Sequence, residues 1–165
     1  MSNNKYLKTF HGHTCEVCSL TFGKNGKIFS SSYDQTIKIW DVNNQKDAIQ
    51  KDAIKGDAIY RVSTLKEHTG FVFSLSCSPN GRILASGSAD STVKLWNIET
   101  GKCFKTINAQ IGWVFSVAWS PDGRILATSG RDGIIKLWNT KTWECLNTLQ
   151  EHQGWVYSIV GSSTS

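Results

Sequence analysis

Along most of the chain the apolar residues fall in short blocks, such as Val72-Phe73-Ser74-Leu75, Ile83-Leu84-Ala85 and Val93-Lys94-Leu95-Trp96. Between the blocks stand Asn25-Gly26, Pro79-Asn80-Gly81 and Pro121-Asp122-Gly123. Blocks this short, bounded by such dipeptides and tripeptides, predict antiparallel strands joined by tight turns. The blocks also recur as a set. Thr69–Trp96 matches Thr14–Trp40 before it and Ile111–Trp138 after it, and a fourth copy begins at Gln153–Val160. His68, Gln110 and His152 are equivalent starting points spaced 42 residues apart. A period of this length means a solenoid, a propeller or an array of small β units.

Taken in order, Lys5–Phe10 matches Lys102–Ile107 and Glu144–Leu149, so residues 5–10 predict the outer strand of an incomplete unit. The first full unit spans 11–65, the second 66–107 and the third 108–149. Residues 150–160 begin a fourth, and 161–165 form a polar tail. The first unit is lengthened by residues 44–57, in which Lys-Asp-Ala-Ile occurs twice and Gly-Asp-Ala-Ile follows at 56–59. A five-residue repeat fits neither the strand period nor the helical one, so no continuous apolar face forms. The insertion predicts a surface loop, with a partner-binding loop as the alternative. Tyr60–Leu65 then supplies the displaced fourth strand of that unit.

The units open on Gly12-His13 and Glu67-His68 and close on Trp40-Asp41, Trp96-Asn97 and Trp138-Asn139. With those signatures at both ends of the period, the chain resembles the WD-repeat β-propeller family. Asn97–Cys103 and Trp113–Gly123 are most similar to long bacterial arrays, especially cyanobacterial signalling proteins, in which such arrays often follow a nucleotide-binding module. The resemblance implies an all-β partial propeller of four-stranded antiparallel blades. Three blades are expected, with a leading outer strand and a trailing inner strand. It also implies a polar network inside each blade: His13, Ser30, Asp34 and Trp40; then His68, Ser86, Asp90 and Trp96; then Thr128, Asp132 and Trp138, with Gln110 in the His position. Partner contact is expected on the rim where first strands begin and second and third strands meet. The matching positions are Phe71, Phe73, Trp113, Phe115, Trp155 and Tyr157, together with Tyr33 and Arg131.

Two constellations invite a chemical reading. His68, Ser86 and Asp90 have the residue types of a hydrolase triad, but His13, Ser30 and Asp34 repeat them, and a catalytic site hardly recurs in every structural unit. The network implied by the resemblance accounts for both sets. His11, His13, Cys15 and Cys18 carry ligand types that zinc accepts. His13 stands at the opening Gly-His position, and Cys15 and Cys18 stand where the next copy has Gly70 and Phe73, so the repeat explains them without a metal. Gly81, Gly87, Gly123 and Gly130 fall at turn or strand positions that the repeat explains rather than in a phosphate-binding loop. No enzyme and no cofactor is expected.

Composition narrows the rest. No apolar run reaches the ~18 residues of a membrane span, and the first ten residues lack the apolar stretch of a secretory signal. Five cysteines, an odd number spread over strands, suggest reduced thiols and a cytoplasmic protein. A net charge of +5, scattered without a basic block, gives little reason to expect nucleic acid. The expected function is a non-catalytic protein–protein interaction scaffold, such as the sensor or scaffold part of a signalling protein. Two alternatives stay open: a truncated or frameshifted fragment of a longer array, and a self-associating module whose open blade faces complete a ring.

Overall fold

The computed structural model describes residues 9–24, 26–42 and 61–162. The insertion at 44–57, most of the expected leading strand at 5–10 and the last residues of the tail lie outside them. The described strands form three four-stranded antiparallel sheets, each in chain order. The first contains β1 (Val17–Phe22), β2 (Lys27–Ser32), β3 (Ile37–Asp41) and β4 (Arg61–Leu65). The second contains β5 (Val72–Cys77), β6 (Ile83–Ser88), β7 (Thr92–Asn97) and β8 (Cys103–Asn108). The third contains β9 (Val114–Trp119), β10 (Ile125–Gly130), β11 (Ile135–Asn139) and β12 (Cys145–Leu149). No helix occurs among the described residues. The sheets do not close into a barrel, in keeping with a partial propeller.

The turns follow from their side chains. At the β5–β6 turn, Asn80 Oδ1 accepts from the Ser78 hydroxyl and the Arg82 N–H, and Gly81 closes the turn at φ +73°. Asp122 does the same between Ser120 and Arg124, with Gly123 at φ +72°. Short polar side chains that bind their own backbone fix a turn and leave the left-handed position to glycine.

The core lies between sheets rather than inside them. Phe29, Ile37, Ile39 and Leu65 of the first sheet meet Val72, Leu75, Leu84 and Trp96 of the second in one buried cluster. Ala85, Val93, Leu95 and Ile107 of the second meet Val114, Val117, Leu126 and Trp138 of the third in another. The second blade therefore buries one face against its predecessor and the other against its successor. This is why the strands read as near-continuous apolar blocks rather than clean alternation.

A serine in each innermost strand joins neighbouring blades. The Leu75 N–H donates to Ser19 Oγ at 3.3 Å, the Val117 N–H to Ser74 Oγ at 3.2 Å, and the Ile159 N–H to Ser116 Oγ at 3.1 Å. An innermost strand has one edge unpaired within its own sheet, and these hydroxyls satisfy donors along it. The third contact also places the trailing segment. Residues 155–160 run along the third blade, where the Val156 N–H reaches the Gly130 carbonyl at 3.1 Å. They take the course expected of a trailing inner strand, and among the described residues they pair into no sheet.

On the first blade Val17, Leu20 and Phe22 are 55%, 56% and 73% exposed, whereas Val72 and Leu75, at the equivalent places of the second blade, are buried. The difference is the neighbour: the first blade covers Val72 and Leu75.

Candidate functional site

The site begins with an irregularity. In every blade the register between first and second strands slips by one residue at the same place. Val72 pairs with Ser88 and Ser74 with Gly87, which leaves Phe73 as the extra residue. Val114 pairs with Gly130 and Ser116 with Ser129, which leaves Phe115. In the first blade the extra residue is Cys18. A bulge re-aims the side chain it carries. Here it turns Phe73 and Phe115 out of the alternation and toward each other across the blade boundary, with ring centroids 5.4 Å apart.

Around these two rings the other candidates assemble. Tyr33 stacks on Phe71 at 4.6 Å, Phe73 lies 5.7 Å from Trp113, and Phe115 contacts both Trp155 at 5.8 Å and Tyr157 at 5.0 Å. The result is one continuous row of seven aromatic rings that crosses the two boundaries between blades and runs on to the trailing segment. Phe73 and Phe115 are half-buried at its floor. Tyr33, Phe71, Trp113, Trp155 and Tyr157 stand exposed above them. The Arg131 guanidinium sits between two indoles, 5.1 Å from the Trp113 ring centre and 5.3 Å from that of Trp155. The row ends in the first blade, where Glu16 and Cys18 occupy the places of Phe71 and Phe73.

Behind the row lie the polar networks. In the second blade His68 Nδ1 is 2.7 Å from Asp90 Oδ2 and His68 Nε2 is 2.7 Å from Ser86 Oγ, which accepts the Trp96 indole N–H at 2.8 Å. A carboxylate only accepts, so the Nδ1 proton faces Asp90; in the neutral ring Nε2 then accepts from Ser86. The first blade repeats this with His13, Asp34, Ser30 and Trp40 at 2.8, 2.7 and 2.8 Å. Thr36 and Thr92 each add a hydroxyl donor at 2.6 Å to their aspartate.

These bonds act on the carboxylates. Partial burial works against the charge of Asp90, but the His68 and Thr92 side chains and the Thr69 N–H outweigh it and hold the carboxyl well below its ordinary range. Asp34 is depressed in the same way, burial being outweighed by Thr36, Thr14 and His13.

The third blade departs from the pattern. Trp138 donates to Thr128 Oγ1 at 3.0 Å, but Gln110 turns its amide to the Ile134 carbonyl and leaves its buried Oε1 without a partner. Asp132 keeps the backbone donors of Ile111 and Ile134, with neither an imidazole nor a hydroxyl. The sequence singled out Gln110. It also held a second signal that the sequence reading missed, Ile134 where the other blades have Thr36 and Thr92.

The His-Ser-Asp sets have triad distances without triad access. Ser86 has no exposed surface, His68 is buried, and the Ser86 oxygen already accepts an indole N–H. Such a serine meets no substrate. Cys15 and Cys18 are free and exposed. Burial and the neighbouring Glu16 push the Cys18 thiol up, opposite to what a reactive thiolate needs. Among the described residues no three His, Cys, Asp or Glu side chains converge as metal ligands.

Comparison with known proteins fits this geometry. The family model "WD domain, G-beta repeat" matches residues 4–41, 60–97 and 101–139, together more than half of the chain. The chain belongs to the WD-repeat family. Over 103 residues it is 38% identical to the COMPASS component SWD3 of Saccharomyces cerevisiae, an alignment that covers 61% of this chain and 28% of that protein. Over 96 residues it is 34% identical to eukaryotic translation initiation factor 3 subunit I of Pyricularia oryzae, covering 58% of this chain and 24% of that one. The same subunit of Aspergillus niger is 35% identical over 95 residues, covering 57% and 24%. These alignments span about a quarter of the length of the relatives. As WD repeats, the three sheets are blades, and the His-Ser-Asp-Trp sets occupy equivalent places in successive repeats.

Proposed function

We propose that this WD-repeat chain is a non-catalytic protein–protein interaction scaffold whose docking surface is the row from Tyr33 to Tyr157. One observation carries this reading: large aromatic side chains form an unbroken, half-exposed row on a rigid frame, with an arginine held among them. Aromatic and arginine side chains are the types that dominate binding energy at interfaces. The bulges and inter-blade serines fix the row in place, so little ordering cost remains on binding. The relatives' names, a COMPASS component and a translation-factor subunit, describe parts of assemblies, which supports protein partners.

The test is quantitative affinity capture from cell extract with the wild-type chain and with Tyr33→Ala, Arg131→Ala and Trp155→Ala. Proteins that dock on the row fall by about ten-fold or more in the variants, while circular dichroism stays unchanged. Equal recovery from all four baits would remove the row as the docking surface.

A second reading has its own observation in the exposed first-blade face. Val17, Leu20 and Phe22 present to solvent the positions that an adjacent blade covers elsewhere, and such a face favours association with another blade. Self-association through this face predicts a dimer by light scattering that Phe22→Asp converts to monomer. A wild-type chain that stays monomeric at tens of micromolar would end this second reading.

A further inference from the structure

We infer that the partner segment docking on the row is acidic, an extended peptide that places a carboxylate on Arg131 and apolar side chains along the aromatic rings. This inference rests on the docking row proposed above and adds the chemistry of what the row takes.

The clamp on Arg131 comes first. Two indoles, their ring centres 5.1 and 5.3 Å from the guanidinium carbon, restrain the group on an exposed residue, and a guanidinium offers a planar fork of N–H donors to an acceptor with two coplanar oxygens. A guanidinium already restrained by two rings loses less freedom when a carboxylate arrives than an unrestrained one does. Within the described residues no carboxylate lies at ion-pair distance from Arg131.

The carboxylates of the same rim are committed elsewhere. Asp34 and Asp90 face their histidines. Asp132, next in sequence to Arg131, accepts from the Ile111 and Ile134 backbone. The cation is therefore restrained, exposed and without an ion-pair partner among the described residues.

The far end of the row carries the opposite sign. Glu16 stands in the first blade where Phe71 and Trp113 stand in the next two, and it is exposed. One end thus attracts an anion and the other repels it, which gives a bound peptide a direction as well as a charge. Single-stranded nucleic acid also stacks on aromatic rows, but it needs cations spaced along its backbone. This row offers one arginine and ends on a carboxylate, which favours the peptide.

The experiment is selection of a random displayed peptide library on the full chain, followed by fluorescence-anisotropy titration of the selected peptides as synthetic, end-capped probes. The expected peptides carry Asp or Glu beside apolar residues. Replacing that acid by its amide weakens binding by about ten-fold or more. Arg131→Glu inverts the preference toward lysine-bearing analogues. Selection of neutral or basic peptides that Trp155→Ala releases would overturn the acidic chemistry while leaving the row as a docking surface. A library that yields no peptide sensitive to Trp155→Ala would overturn both. A thymidine oligonucleotide that binds more tightly than any peptide, and is lost in Arg131→Glu, would replace the peptide with nucleic acid.

Discussion

Trp96→Ala lowers the unfolding free energy by about 3–5 kcal/mol, the cost of truncating a large aromatic in a core that collapses only partly. Trp96 is 1% exposed and lies in the cluster that joins the first and second blades, against side chains of both. Its indole N–H also ends the His68–Ser86 network, so truncation removes a donor from Ser86 as well as opening a cavity. Repeat arrays derive their cooperativity from interfaces between neighbours. The loss therefore falls on the coupling between blades, and the urea transition broadens as well as shifting. Tyr33→Ala and Arg131→Ala, on the exposed row, cost well under 1 kcal/mol. Urea denaturation followed by circular dichroism and tryptophan fluorescence checks the contrast. Equal losses in all three variants would mean that the row is structural support and that the division between core and docking surface is wrong.

The contrast also shows where the sequence was legible. Strand positions followed from the blocks between Pro-Asn-Gly and Pro-Asp-Gly turns, because such turns are local and set by their own side chains. The polar networks could be named because the residues match the positions that such a network holds in WD repeats, as the resemblance implied. The slip that re-aims Phe73 and Phe115 could not be read, since a bulge depends on pairing with a strand several residues away and leaves no residue type of its own. The serines of Val-Cys-Ser-Leu and Val-Phe-Ser-Leu were visible as a pattern. Their partners lie 56 and 43 residues away in the next blade, so their role appears only in the packed array. Trp143 is another such case. It holds φ +61° at the turn position filled by Gly101 in the second blade, and contacts with Phe104 and Trp119 are what the large side chain offers in return.

Asp90→Ala costs about 3 kcal/mol, whereas Asp132→Ala costs about 1 kcal/mol, although the two aspartates hold the same place in successive blades. Asp90 is held by an imidazole, a hydroxyl and two backbone N–H groups; Asp132 has only the backbone pair. The acid response follows with a definite sign. Asp90 and Asp34 bind their protons less readily in the folded chain than an ordinary carboxyl does, so the unfolded chain takes up protons first as the pH falls. Their stabilisation is complete above the ordinary carboxylate range, near pH ~4, and drains away below it as the folded carboxyls titrate. The wild-type chain thus loses stability steeply below that pH, and Asp90→Asn, already lacking the charge, loses less over the same interval. Gln110→His tests the cause from the other side. It removes the unpartnered Oε1 and offers Nε2 to Thr128 and Nδ1 to Asp132, for a gain of about 1 kcal/mol. In that background Asp132→Ala costs more than in the wild type, because the two residues now share a network and their effects no longer add. An unchanged cost for Asp132→Ala would mean that the missing imidazole is not what separates the third blade from the second.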